Sequence, residues 1–257
     1  MGRFSQIRNP IVARLSIAAW RLFTDLDLSE ARHRQFASMH DCFTRELRPG
    51  ARPVDPAPEY MVSPCDAIIG AGGAVEGMRL FQAKGFPYSL VDLFGSEAAA
   101  EPFRDGCYVT LRLTSTMYHR FHAPADALVE NVTYISGDTW NVNPIALKRV
   151  EKLFCRNERA VLRLRLEDGR PIALVAVAAI LVAAIRLHFL DVLLHLRWKG
   201  PNEIPCATRV TRGEELGWFQ HGSTIIVFAP RGFALCEHLQ VGARIRMGER
   251  LMRMLPR

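Results

Sequence analysis

The chain has no Cys-x-x-Cys pair, no G-x-S-x-G turn and no aromatic-basic recognition signature, and its longest apolar run is too short to cross a bilayer as a helix. Each absence removes a class of protein. The six cysteines, at 42, 65, 107, 155, 206 and 236, are scattered, which argues for reduced thiols and against a disulfide scaffold. The apolar stretch "IALVAVAAILVAAI", Ile172 to Ile185, is followed at once by Arg186 and His188. It falls short of the ~20 residues of a spanning helix and reads instead as a buried strand or strand pair. Nothing resembles a secretory signal peptide, so a cytosolic chain is expected. Without zinc-finger spacing or a heptad run, nucleic acid is not an expected partner.

What is present is globular: 257 residues, 49% hydrophobic and 23% charged, with a formal charge of +7. Residues 1 to 52 hold nine Arg against five acids, so more than half of the excess lies there. In "NPIVARLSIAAWRLF", Ile11, Leu15, Ala18 and Leu22 recur at helical spacing with Arg14 and Arg21 among the polar positions. A basic, apolar-striped helix suits an anionic membrane surface, and packing of the stripe on the rest of the protein is the competing reading. "DLSE" predicts a second helix from Asp27, with Phe36, Met39, Phe43 and Leu47 on one face and a stop at Pro49-Gly50.

After the Pro-rich connector "RPGARPVDPAPE" the pattern turns extended. "CYVTLRL" alternates apolar and polar residues, and so does "VLRLRL" before an Asp168-Gly169 turn. The strand after that turn is apolar throughout and is expected to be buried on both faces. The fold class expected is therefore α+β, with a helical N-terminal segment, residues 1–52, on a predominantly antiparallel β body, residues 53–257.

Reactive side chains occur in "VSPCDAIIG" with Asp66, in "MYHRFHAP" with His119 and His122, and in "FQHGSTIIVF" with His221 and Ser223. A serine becomes a nucleophile when a histidine takes its proton and a carboxylate orients that histidine. Ser223 precedes an apolar strand rather than a helix, unlike the serine of a hydrolase elbow. His119 and His122 point to opposite faces of an extended segment and lack the frame of a metal site, so no metal is expected.

Together these segments resemble the phosphatidylserine decarboxylase family, in order from about Phe43 almost to the C-terminus. "FTRELRPGARPV", "VSPCDA", "MYHRFHAP", "YISGDTWNVNPIAL", "NERAVL" and "GEELGWFQHGSTIIVF" carry the resemblance. It implies a proenzyme that cuts itself between Gly222 and Ser223 into residues 1–222 and 223–257, which stay associated as β and α chains. Ser223 would become a pyruvoyl group, the cofactor in place of a metal or pyridoxal phosphate. It further implies that His122 deprotonates the Ser223 hydroxyl with Asp66 fixing the imidazole, and that His119 assists decarboxylation or returns the proton. The substrate implied is phosphatidylserine or a closely related serine phospholipid, converted to the ethanolamine phospholipid and carbon dioxide. A homodimer, peripheral on the cytoplasmic face of the cell membrane, is implied as well.

The chain departs from the family pattern at Ala67, Met117, Ala178, Ala183 and His221. None of these removes a proposed triad residue, and His221, beside the scissile bond, is a competing base. Two other readings stay open: a non-processing, membrane-associated lipid-binding module of the same fold, and a serine hydrolase using the same triad on an intact chain.

Overall fold

The computed structural model describes residues 2–81, 86–179, 184–220 and 223–256. After a short helix α1 (Gly2–Ser5), helix α2 (Pro10–Phe23) begins where the Asn9 side chain accepts hydrogen bonds from the amides of Ile11 and Val12, with Pro10 at the first helical position. Its buried residues are Ala13 and Ile17, and Ile17 joins Leu26 and Cys42 in a small satellite core. The stripe of Ile11, Leu15 and Leu22 faces outward, 69%, 65% and 79% exposed, rather than packing on the rest of the protein.

The predicted helix from Asp27 does not form. The Asp27 carboxylate accepts hydrogen bonds from both the amide and the hydroxyl of Ser29, a local turn that competes with helix nucleation. Ala31 then bridges Leu47 in extended conformation. Helix α3 (Met39–Phe43) starts only at Ser38, whose hydroxyl accepts from the Asp41 amide. It is a single turn.

From Tyr60 onward strands dominate, as the alternation predicts. In chain order they are β1 (Tyr60–Val62), β2 (Ala67–Ala74), β3 (Arg79–Phe81), β4 (Pro87–Ser89), β5 (Cys107–Leu113), β6 (Arg120–His122) and β7 (Ala127–Ile135). There follow β8 (Arg159–Leu166), β9 (Pro171–Ala178), β10 (Ala184–Leu187), β11 (Val192–His195), β12 (Glu203–Val210) and β13 (Glu215–Phe219). The last four are β14 (Ser223–Ala229), β15 (Phe233–Leu235), β16 (Arg244–Ile245) and β17 (Arg250–Met254). Short helices α4 (Leu90–Phe94), α5 (Glu97–Ala100), α6 (Pro144–Leu147) and α7 (Leu153–Arg156) lie between them.

The main sheet has the order β12-β7-β8-β9-β14-β5-β2-β16, and a four-stranded sheet has the order β11-β10-β13-β6. Two smaller sheets, β1-β17-β15 and β3-β4, complete the set. The strand pairs are antiparallel. The α+β class read from the sequence therefore holds.

The β8–β9 hairpin turns at Asp168-Gly169, with Gly169 at φ +85°, a backbone conformation that glycine adopts without strain. Strand β9 is buried on both faces. Leu174 and Ala176 meet one apolar cluster, which includes Phe121, Leu187 and Phe219 of the four-stranded sheet. Val175 and Val177 meet the other, under α4 and α7. Strand β14 sits between β9 and β5 and shares both clusters: Ile225 and Val227 face the small sheet, whereas Ile226 and Phe228 face the helices. Phe228 packs 5.2 Å from Phe94, centroid to centroid, and burial of such a ring contributes roughly 1.5–3 kcal/mol. Ser223 is thereby placed at the start of the most deeply held strand. All six cysteines are free thiols.

Candidate active site

The segments singled out in the sequence are laced together by backbone bonds. The His122 amide donates to Pro64 O at 2.8 Å and the Val62 amide to Pro124 O at 2.9 Å, so "VSPCDA" and "RFHAP" run side by side. The Phe219 amide donates to His119 O at 3.0 Å, which ties the histidine segment to the strand that leads to residue 223. Gly217 permits β13 to pair with β10 on its other side, because a Cβ there would collide with the Arg186 carbonyl oxygen.

His122 is 6% exposed at the end of β6. Its Nδ1 lies 2.9 Å from Gly213 O and its Nε2 lies 3.0 Å from the Tyr118 hydroxyl. A carbonyl only accepts, so Nδ1 carries the proton and the lone pair of the neutral ring is on Nε2, where the Tyr118 hydroxyl donates. Burial holds the His122 pKa below its ordinary value, against the raising effect of the Gly213 bond. The ring is a neutral base at pH 7.

Asp66 ends the turn after β1 and is 8% exposed. Its carboxylate is clamped by Arg52, from Nε to Oδ1 at 2.8 Å and from Nη2 to Oδ2 at 2.5 Å, and it also accepts from the Met247 amide at 2.9 Å. Arg52 continues to Glu30 at 2.7 Å. The hydrogen bonds of Asp66 thus go to Arg52 and Met247 rather than to the His122 ring, which is oriented by Gly213 O and Tyr118. Asp66 acts on His122 through its charge, which favours the imidazolium. A cavity of about 160 Å³ opens between Asp66, Arg52, Arg45 and Tyr118.

His119 is fully buried. Its Nδ1 donates to Met117 O at 2.9 Å and its ring lies 3.9 Å from that of Phe43, centroid to centroid. Ser223 is also fully buried, and its Oγ has no hydrogen-bond partner among the described residues. It pairs with Leu113 on one side and Ala178 on the other. Gly222, His221 and Ala183 lie outside the described residues.

The other Gly-Ser step makes an instructive control. Gly95 ends α4 in a left-handed conformation and the Ser96 hydroxyl caps α5 by accepting from the Ala99 amide. Ser96 has the ordinary turn role, and Ser223 does not. Burying a hydroxyl without a partner costs about 1–3 kcal/mol, a cost commonly found where a group is kept for chemistry.

Sequence reasoning missed four participants. Tyr118 lies inside the quoted "MYHRFHAP", four residues before His122, but only the fold shows its hydroxyl on Nε2. Arg45 and Arg52 both point inward: Arg45 donates to Cys42 O and Thr116 O, and Arg52 holds Asp66. Glu158 stands in "NERAVL" without any role assigned to it, and it is fully buried.

A family model of phosphatidylserine decarboxylase matches residues 39–253. The phosphatidylserine decarboxylase proenzyme of Myxococcus xanthus is 37% identical over 251 residues, 95% of this chain and 89% of the relative. That of Halorhodospira halophila is 40% identical over 243 residues, 89% of this chain and 80% of the relative. That of Vibrio cholerae is 37% identical over 236 residues, 88% of this chain and 82% of the relative. With similarity running through nearly the whole chain, this protein belongs to the phosphatidylserine decarboxylase family.

Proposed function

We propose that this chain is a self-processing, pyruvoyl-dependent decarboxylase that converts phosphatidylserine, or a closely related serine phospholipid, to the ethanolamine phospholipid and carbon dioxide. The observation that carries the reading is the Ser223 hydroxyl, buried at the first residue of β14 with no partner among the described residues. The position also suits a new chain start. Strand β14 pairs with β5 and β9 along its length, and beyond it β16 pairs with β2 and β17 with β1, so residues 223–257 stay anchored after cleavage.

In processing, His122 Nε2 takes the Ser223 Oγ proton as Oγ attacks the Gly222 carbonyl carbon. Gly213 O holds the ring in the required tautomer, and the charge of Asp66, fixed by Arg52, stabilises the imidazolium. A pyruvoyl group at position 223 supplies a carbonyl that accepts the electrons released when carbon dioxide leaves. His119, its Nδ1 engaged by Met117 O, holds at Nε2 the proton exchanged during decarboxylation.

Residues 1–52 form the membrane-associating region and residues 53–257 the catalytic one. The outward stripe of α2 carries Phe23 at 83% and Leu22 at 79% exposure. Beside it a cleft of about 480 Å³ is lined by Arg14, Arg21 and Arg34. Apolar and cationic groups on one surface suit an anionic bilayer. Among the described residues no helix is long and apolar enough to cross a membrane; peripheral binding at the cytoplasmic face, as a homodimer, is what the family resemblance implies and is part of this reading.

Intact mass under denaturing conditions tests the reading. Two chains meeting at residue 222 are expected, the smaller blocked at its N-terminus, with carbon dioxide released from phosphatidylserine vesicles. Ser223→Ala should stay whole. A wild-type chain of 28.9 kDa that binds these vesicles without turnover would favour the lipid-binding module instead.

A further inference from the structure

Arg159 pairs with Val177 in the β8–β9 ladder, and the ladder continues one step further through the Ala178 amide, which donates to Glu158 O at 2.9 Å. Glu158 therefore stands opposite Ala178, and Ala178 stands opposite Ser223. Directly opposed residues of antiparallel strands share a face. Glu158, Ala178 and Ser223 form one row on the face turned toward the four-stranded sheet, the face of Ala160, Ala176 and Ile225.

The hydrogen bonding of Glu158 agrees. Tyr134, on the same face of β7, donates its hydroxyl to Glu158 Oε1 at 2.8 Å. The second oxygen, Oε2, is buried without a partner among the described residues, as is Ser223 Oγ. Two strand spacings, about 10 Å, separate the backbones of residues 158 and 223. The side chain between them, that of Ala178, is a single methyl group, so the carboxyl and the hydroxyl lie on one face with only an alanine between them.

Among the described residues no charged partner accompanies Glu158. Burial, opposed by the Tyr134 bond, pushes its pKa up to about 7. A large part of the population keeps its proton at neutral pH, and a protonated carboxyl is a hydrogen-bond donor in an apolar site.

We propose that Glu158 serves chain cleavage as the hydrogen-bond donor to Ser223 Oγ, stabilising through Oε2 the negative charge that this oxygen carries. This role rests on the self-processing reading. In the first step His122 takes the hydroxyl proton, the Oγ–C bond to Gly222 forms, and the amide C–N bond breaks as its nitrogen takes that proton from His122. In the second, neutral His122 removes the Cα proton of residue 223, the Cα–Cβ double bond forms, and the Cβ–Oγ bond breaks to release Gly222 as a carboxylate. Glu158 keeps its own proton in both steps. Its contribution is a donor aimed at the oxygen on which charge develops.

The test follows cleavage of freshly made chain by intact mass, for wild type, Glu158→Leu and Glu158→Gln, with folding checked by circular dichroism. Leucine removes the donor and should slow cleavage on the order of 10²-fold. Glutamine keeps a neutral donor and should cleave within a few-fold of wild type. The wild-type rate should fall as pH rises through about 7, where Glu158 loses its proton, and Glu158→Gln should lack that decline. If Glu158→Leu fails to fold, the pH profile of Glu158→Gln decides. Cleavage of Glu158→Leu at the wild-type rate, or a Glu158→Gln chain that is slow or keeps the alkaline decline, would overturn the donor role while leaving self-processing intact. A wild-type chain that never cleaves would overturn the self-processing reading and the donor role with it.

Discussion

Arg52 and Asp66 are joined by a two-pronged ion pair, Nε to Oδ1 at 2.8 Å and Nη2 to Oδ2 at 2.5 Å, with side chains only 8% and 12% exposed. Removing one partner of so buried a pair leaves an uncompensated charge, at a cost of about 3–5 kcal/mol. In a Ser223→Ala background, which keeps the chain whole, Arg52→Ala should lower unfolding stability by about 3 kcal/mol in urea. With Ser223 present it should also slow cleavage, because Asp66 loses its fixed position. Unaltered urea midpoints would show that the clamp is not structural.

His122 sets the acid side of processing. The neutral ring is the base, and burial lowers its pKa, so the acid limb of the cleavage rate should lie below about 6.5, the ordinary value for histidine, with the rate falling as pH falls through the lowered value. Folding stability follows the same sign, since the unfolded chain takes up the proton more readily than the fold does. The Tyr118 hydroxyl donates to Nε2 and so favours the neutral ring. Tyr118→Phe should therefore shift the acid limb of the cleavage profile upward, toward the ordinary histidine range. A limb that stays in place, measured by mass against pH, would remove Tyr118 from the base's environment.

The outward face of α2 can be tested without dismantling the satellite core, because Ala13 and Ile17 are buried whereas Leu15 and Leu22 are not. Leu15→Glu with Leu22→Glu should weaken sedimentation with phosphatidylserine vesicles roughly 10²-fold, the worth of two buried leucines, and leave cleavage unchanged. Raising salt should weaken wild-type binding through the arginine cleft. Equal sedimentation of the two proteins would assign the stripe to another partner.

Periodicity alone determined the extended character of "CYVTLRL" and "VLRLRL", the turn at Asp168-Gly169, the double-sided burial of the strand after it and the start of an apolar strand at Ser223. Those properties follow from short-range geometry: alternation of period two and the positive φ of a turn glycine. The chemistry-bearing segments were legible too, as residue types in a particular company. What only the tertiary structure decided was which of these side chains meet. Asp27 turns back on Ser29 instead of starting a helix, and Asp66 binds Arg52 while Gly213 and Tyr118 orient His122. Glu158 reaches the row of Ser223 through the register of β8, β9 and β14. Such encounters join residues far apart in the chain, and sheet register and stacking set them. No local period encodes which buried carboxyl oxygen will lack a partner among the described residues.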